Sequence, residues 1–256
     1  TLYNVAFSET IASGGVAWSL ANGTALTAAG TLTLSSVDFM NIYDGTLVAQ
    51  GNVTTNAGAM GGDAAMTLTG GSSQTLDIQS SPDGTFTVNK TAGSTATLAR
   101  ALSANAVGQD LTITSGTLSL AGFNLTVNDV LTVGASGTLQ LQGGETVTKG
   151  TLTLASGSTV KYTGNGNAAA NTYTITANPP NLGAAYHHLT IASTDGATDT
   201  FQLGQALDVN GDLTISAGTF NVNGANAITL AGNWANSGTF TAGTGTVTLD
   251  GTNQTV

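Results

Sequence analysis

Cysteine is absent from this 256-residue chain, and only four side chains are basic: Lys90, Arg100, Lys149 and Lys161. The first absence excludes disulfides and thiolate metal sites. The second, set against fourteen acidic residues and a net charge of −10, leaves no patch able to neutralise phosphates. Nucleic acid and anionic membrane surfaces are therefore not expected partners. Apolar runs stay short of the roughly 18 residues that a membrane-spanning helix needs, so no membrane insertion is expected. Charged residues make up 7% of the chain, which leaves few of the Glu, Lys and Arg that favour helices. Disorder is excluded by the 40% hydrophobic content. The polar surface must then be built from Thr, Ser, Asn and Gln, and β-branched Thr suits an exposed pleated strand. An all-β fold follows. The acidic residues, scattered singly from Glu9 to Asp250, read as loop solvation.

What is present is a repeat. Gly-Thr-apolar recurs at Gly30, Gly45, Gly84, Gly116, Gly137, Gly150, Gly218, Gly238 and Gly245. Each reads as a turn and a short strand, glycine permitting a positive φ and the next residues alternating between faces. The spacing is near twenty: Leu111-Thr112-Ile113 is echoed by Leu131-Thr132-Val133, and Gly218-Thr219-Phe220 by Gly238-Thr239-Phe240. Several short strands per period of that length predict an elongated parallel β-solenoid, right-handed by the crossover preference, with roughly thirteen rungs. Alternation as in Leu152-Thr153-Leu154 puts Leu inward and Thr outward, and Leu118, Leu139 and Ile215 are expected in the core.

A longer period is marked by a seam. Met66-Thr67-Leu68 through Gln74-Thr75-Leu76 reads like Val247-Thr248-Leu249 through Gln254-Thr255-Val256, with a longer variant from Thr159 to Ile175. Aromatic-led strands follow two seams, at Phe86-Thr87-Val88 and at Tyr186 to Ile191, and a matching strand, Leu2 to Phe7, opens the chain. This divides a single solenoid into three units, about 1–76, 77–175 and 176–256, in cyclically permuted order. The segment from Val16 to Ala65 departs from the pattern, most around Gly58 to Ala65. A start at Thr1 inside a repeat-like segment suggests a processed product or an excerpt of a longer polypeptide.

Seams of the form Gly-Thr-Val-Thr-Leu-Asp-Gly-x-Asn-Gln-Thr-Val, followed by an aromatic-led strand and a Leu-Thr-Ile-x-x-Gly-Thr-Leu core, resemble the tandem β-strand repeats of very large secreted bacterial surface proteins of adhesin-like type. The resemblance covers nearly the whole chain, most clearly 105–160 and 186–256. It implies an extracellular or cell-surface location.

No residue pattern announces a chemistry. His187 and His188 are adjacent on a strand and should point to opposite faces, unable to share a metal. Asp208-Val209-Asn210-Gly211-Asp212 has the look of a calcium loop but lacks the rest of an EF-hand, and reads first as a turn. Arg100 and Asp110 stand half a rung apart, too far around the coil to act together. Trp18, Trp234, Tyr3, Tyr43, Tyr162, Tyr173 and Tyr186 read as core plugs, with a sugar-stacking platform as the alternative. No catalytic residues, cofactor or metal are expected, and the chain is not read as an enzyme.

The expected function is structural: a β-solenoid subunit or segment of a surface fibre, sheath or matrix filament. Its partner would be a further copy joined head to tail, or the next part of a longer tandem chain. The assembly surface would comprise Leu2, Tyr3, Val5, Phe7, Val247, Leu249, Gln254 and Val256. The alternative is an adhesin stalk or glycan-binding module with cell-surface glycans as partners. Ice binding would need persistent Thr-x-Thr rows, which Thr112/Thr114 and Thr146/Thr148 only hint at.

Overall fold

The computed structural model describes residues 1–10, 14–56, 59–175, 185–196 and 198–256. It is a parallel β-solenoid of about 11 turns with rungs of about 21 residues, without helix among the described residues. The turns are fewer than thirteen because some rungs are stretched. Val160 is in register with Leu189, 29 residues on, whereas Phe201 meets Phe220 after 19. The chain divides into two compact units: Thr1–Ser119 with Phe123–Thr132 and Thr148–Thr153, and Leu120–Gly122 with Val133–Val147 and Leu154–Val256.

In the first unit, parallel pairing stacks like on like. Val5, Leu32, Val53, Leu76 and Leu98 form one column, each the register partner of the next. Leu47, Met66, Phe86 and Leu111 form another. All nine are buried. Each side chain of this size contributes about 1.5–3 kcal/mol on burial, and only a neighbouring rung can bury it. The irregular segment from Val16 to Ala65 proves to hold a sheet of its own: Val16–Ser19, Phe39–Tyr43 and Ala59–Gly61, with Met40 and Ile42 inward. Gly58 lies outside the described residues.

The second unit is built from such columns as well. Leu139, Val160, Leu189 and Leu213 make the first, and Leu207, Ile228 and Val247 another. Between them runs an aromatic column, Tyr173, Phe201, Phe220 and Phe240. Tyr173 stacks on Phe201 at 5.3 Å between ring centroids. Leu118, Leu139 and Ile215 are fully buried, as alternation predicts. Leu152 and Leu154 are only half-buried, although Thr153 between them is exposed.

The recurrent glycines have two causes, of which the sequence suggests one. A positive φ occurs at Gly45, Gly116 and Gly218 of the Gly-Thr series. At Gly84, Gly150 and Gly245 the φ is ordinary, but a Cβ would lie 2.4, 2.2 and 1.8 Å from a backbone oxygen of the preceding rung. Rungs about 4.8 Å apart leave no room for a side chain wherever a corner turns one backbone against another.

Gly84→Ala should therefore destabilise the fold by roughly 1–3 kcal/mol, the range for forced overpacking. Gly71→Ala should be neutral or slightly stabilising, since Gly71 has no positive φ and its nearest neighbour, Thr91 Oγ1, would be 3.5 Å away. Thermal unfolding of the two variants checks the contrast.

Candidate functional site

At the corners the backbone ladder breaks, and side chains take over as acceptors. In the second unit His188 Nδ1 accepts the Asp212 N–H at 2.9 Å, Asp212 Oδ1 accepts that of Asn233 at 2.8 Å, and Asn233 Oδ1 accepts that of Thr255 at 2.9 Å. The first unit repeats the device: Asn4 Oδ1 accepts from Thr31 N and Asn52 Oδ1 from Thr75 N. The seams carry a clamp. Gln74 Nε2 donates to the carbonyls of Ala49 and Gly51, and Gln254 Nε2 to those of Leu230 and Gly232.

Three carboxylates expected to solvate loops are instead buried. Glu145 accepts the N–H groups of Gly122, Gln142 and Gly143 at 2.7–2.9 Å. Asp199 accepts from Asn171 N and Ser193 Oγ, and Glu9 from Ser36 Oγ. A buried carboxylate must find donors, and a corner offers backbone amides freed from the ladder. Lys90 is buried as well, donating to Thr69 O at 3.2 Å and Gln74 Oε1 at 2.8 Å; burial pushes its pKa down.

The residues expected to form an assembly surface are divided between the units. In the first, Leu2 and Tyr3 are exposed while Val5 and Phe7 face the core. In the second, Val247 is half-buried on Ile228, Gln254 is the seam clamp, and Leu249 and Val256 are exposed.

The two histidines do not diverge. His187 lies at a corner between the strands Ala185–Tyr186 and His188–Ala192, so strand alternation does not apply. The rings meet edge to face at 4.3 Å, and both Nδ1 atoms lie within 2.8 Å of where a Gly211 Cβ would be. Ser156 Oγ hydrogen-bonds His187 Nε2 at 3.0 Å, and the buried His187 Nδ1 has no hydrogen-bond partner among the described residues. Burial, then the neighbouring His188, pushes the His187 pKa down. Asp208 and Asp212 do not converge: Asp212 caps Asn233, and Asp208 Oδ2 accepts from Asn210 Nδ2. Among the described residues no three His, Asp or Glu side chains are grouped to hold a metal. Arg100 pairs with Asp77, one rung below, on the exposed surface.

Only some of the aromatics are core plugs. Tyr162 and Tyr186 are core plugs, whereas Tyr3, Trp18 and Tyr43 are exposed. One Thr row does persist, Thr172, Thr200, Thr219 and Thr239, but the row beside it is mixed: Thr174, Gln202, Asn221 and Thr241.

A concave polar feature lies in the first unit. A cleft of about 250 Å³ is lined by Met60, Gln79, Ser80, Ser81, Asp83, Ser103, Asn105 and Gln109. Its floor is fixed: Gln109 Nε2 donates to Pro82 O at 2.7 Å and to Ser81 Oγ at 3.3 Å. Its rim is not, since the Gln79, Asp83, Ser103 and Asn105 side chains have no hydrogen bond among the described residues and are exposed. Desolvation by the surrounding walls raises the Asp83 pKa. The repeat pattern does not disclose this cleft, because its residues come from three stretches of chain, 60, 79–83 and 103–109, that only the stacking of rungs brings together.

Tyr162 and Tyr186 meet at 3.3 Å between hydroxyls in the second core. Burial pushes Tyr186 up to about 12 and Tyr162 well above its ordinary value near 10. The folded state thus holds protons that the unfolded state releases first. Stability from this pair should be intact below pH 10 and fall as pH rises toward 12. Denaturant titrations across that window should show the fall in the natural chain and a shallower one in Tyr186→Phe.

Comparison with protein-family models, with curated proteins and with solved structures gives no match for this chain. The functional reading rests on the rungs themselves.

Proposed function

We propose that this chain is a structural extracellular protein, a β-solenoid segment of a surface fibre, sheath or matrix filament that associates head to tail, in the manner of the bacterial surface repeats it resembles. The observation that carries this reading is where the polar groups go. Corner Asn, Asp, Gln and buried Glu side chains are committed to backbone amides and carbonyls, which is the use expected of a scaffold. Within each unit the ladder bonds join rung to rung, so a pull along the stack is shared by many of them. Exposed Leu2, Tyr3, Leu249 and Val256 supply apolar surface for self-association. A contact between different surfaces of identical copies need not close, and gives an open filament.

Negative-stain electron microscopy with sedimentation velocity tests this. The purified chain should form filaments whose mass grows with concentration, and deletion of residues 1–10 should abolish them while the remaining rungs stay folded. A monodisperse monomer at all concentrations, or normal filaments from the truncated chain, contradicts the proposal.

A further inference from the structure

We propose that the outer face of the sheet Val16–Ser19, Phe39–Tyr43 and Ala59–Gly61, together with the adjoining polar cleft, is a binding site for a neutral oligosaccharide. On the strand Phe39–Tyr43 the buried residues are Met40 and Ile42, so Phe39, Asn41 and Tyr43 project outward. Phe39 and Tyr43 are 41% and 40% exposed, a large apolar area to leave in water on a chain with so few aromatics. They stand four residues apart, roughly 13 Å at about 3.3 Å per residue, enough for each to stack on a different ring of one sugar chain.

Between them the surface is polar and ordered. Asn41 Nδ2 donates to the Tyr43 hydroxyl at 2.7 Å, which fixes both side chains. Gly61, the register partner of Asn41, has no side chain to intervene. A Cβ there would be 2.7 Å from Asn41 Oδ1 and 3.4 Å from Asp83 Oδ2, so these two acceptors face one spot from the rungs on either side of Gly61. Asp83 is also a wall of the cleft, which places the aromatic face and the Gln79, Ser103 and Asn105 side chains, without hydrogen bonds among the described residues, around one carboxylate. Sugar hydroxyls suit this set: a carboxylate accepts two hydroxyl protons in short, strong hydrogen bonds, amides serve as donors and acceptors, and the rings cover apolar sugar faces. No Lys or Arg lines the cleft, and the chain carries a net charge of −10. Uronate or sulfated chains would be repelled, which narrows the ligand to neutral sugars.

Isothermal titration against cellohexaose, xylohexaose, mannohexaose, chitohexaose and hexagalacturonate tests the site. At least one of the neutral sugars should bind with a Kd below about 1 mM, and hexagalacturonate should not. For the sugar that binds, Phe39→Ala, Tyr43→Ala and Asp83→Asn should each raise Kd at least tenfold, whereas Phe123→Ala, at another exposed aromatic, should leave it unchanged. Phe39→Leu replaces Phe39→Ala if the latter lowers the melting temperature. Failure of all four neutral sugars to bind below 1 mM, tighter binding of hexagalacturonate, or a Kd indifferent to these substitutions in folded protein would overturn the assignment.

Discussion

The parallel backbone ladder fixes the distance between rungs at about 4.8 Å, and the rest of the structure answers to that distance. On the flat faces it brings residues of one kind over each other, as in Leu32, Val53 and Leu76 or Phe201, Phe220 and Phe240. At the corners it removes the space for a side chain, which is why Gly245 sits under the Asn226 carbonyl. Where the chain turns and the ladder is interrupted, the freed amides are left without partners unless side chains supply them.

That last requirement explains how so weakly charged a chain comes to bury charge. Leaving a buried polar group unmet costs about 1–3 kcal/mol, and more for an ion. Glu145 resolves both sides of the problem at once, since three stranded N–H groups meet one carboxylate. Gln74 links two such arrangements, holding the carbonyls of Ala49 and Gly51 with its amide nitrogen while its oxygen receives Lys90. These groups look chemically suggestive in isolation, yet each is occupied by the fold. Asp83 differs in that its carboxylate has no hydrogen bond among the described residues.

The faces were legible in the sequence because a two-residue alternation and a rung-length period are both written in side-chain type. Leu118, Leu139 and Ile215 could be placed in the core from those patterns alone. Corners obey neither. The adjacent histidines were assigned to opposite faces on the rule for strands, and the corner at His187 voids it. The seam glutamines were visible as a repeat, but their reach to carbonyls one rung away depends on register that no local spacing encodes. The sheet of Val16–Ser19, Phe39–Tyr43 and Ala59–Gly61 was obscured because Ala, Gly and Met replace the Leu and Val of other rungs, and with it the exposed Phe39 and Tyr43 went unpaired with the cleft.

A scaffold built this way is as firm at its corners as on its faces, provided the side-chain acceptors truly replace the ladder. Amide hydrogen exchange resolved by residue measures this directly. The N–H groups of Thr31, Thr75 and Asn233, held by the Asn4, Asn52 and Asp212 side chains, should be protected to the same degree as ladder amides such as Leu32 and Leu213. Exchange of these corner amides at the rate of open loops, with the ladder amides protected, would contradict the account.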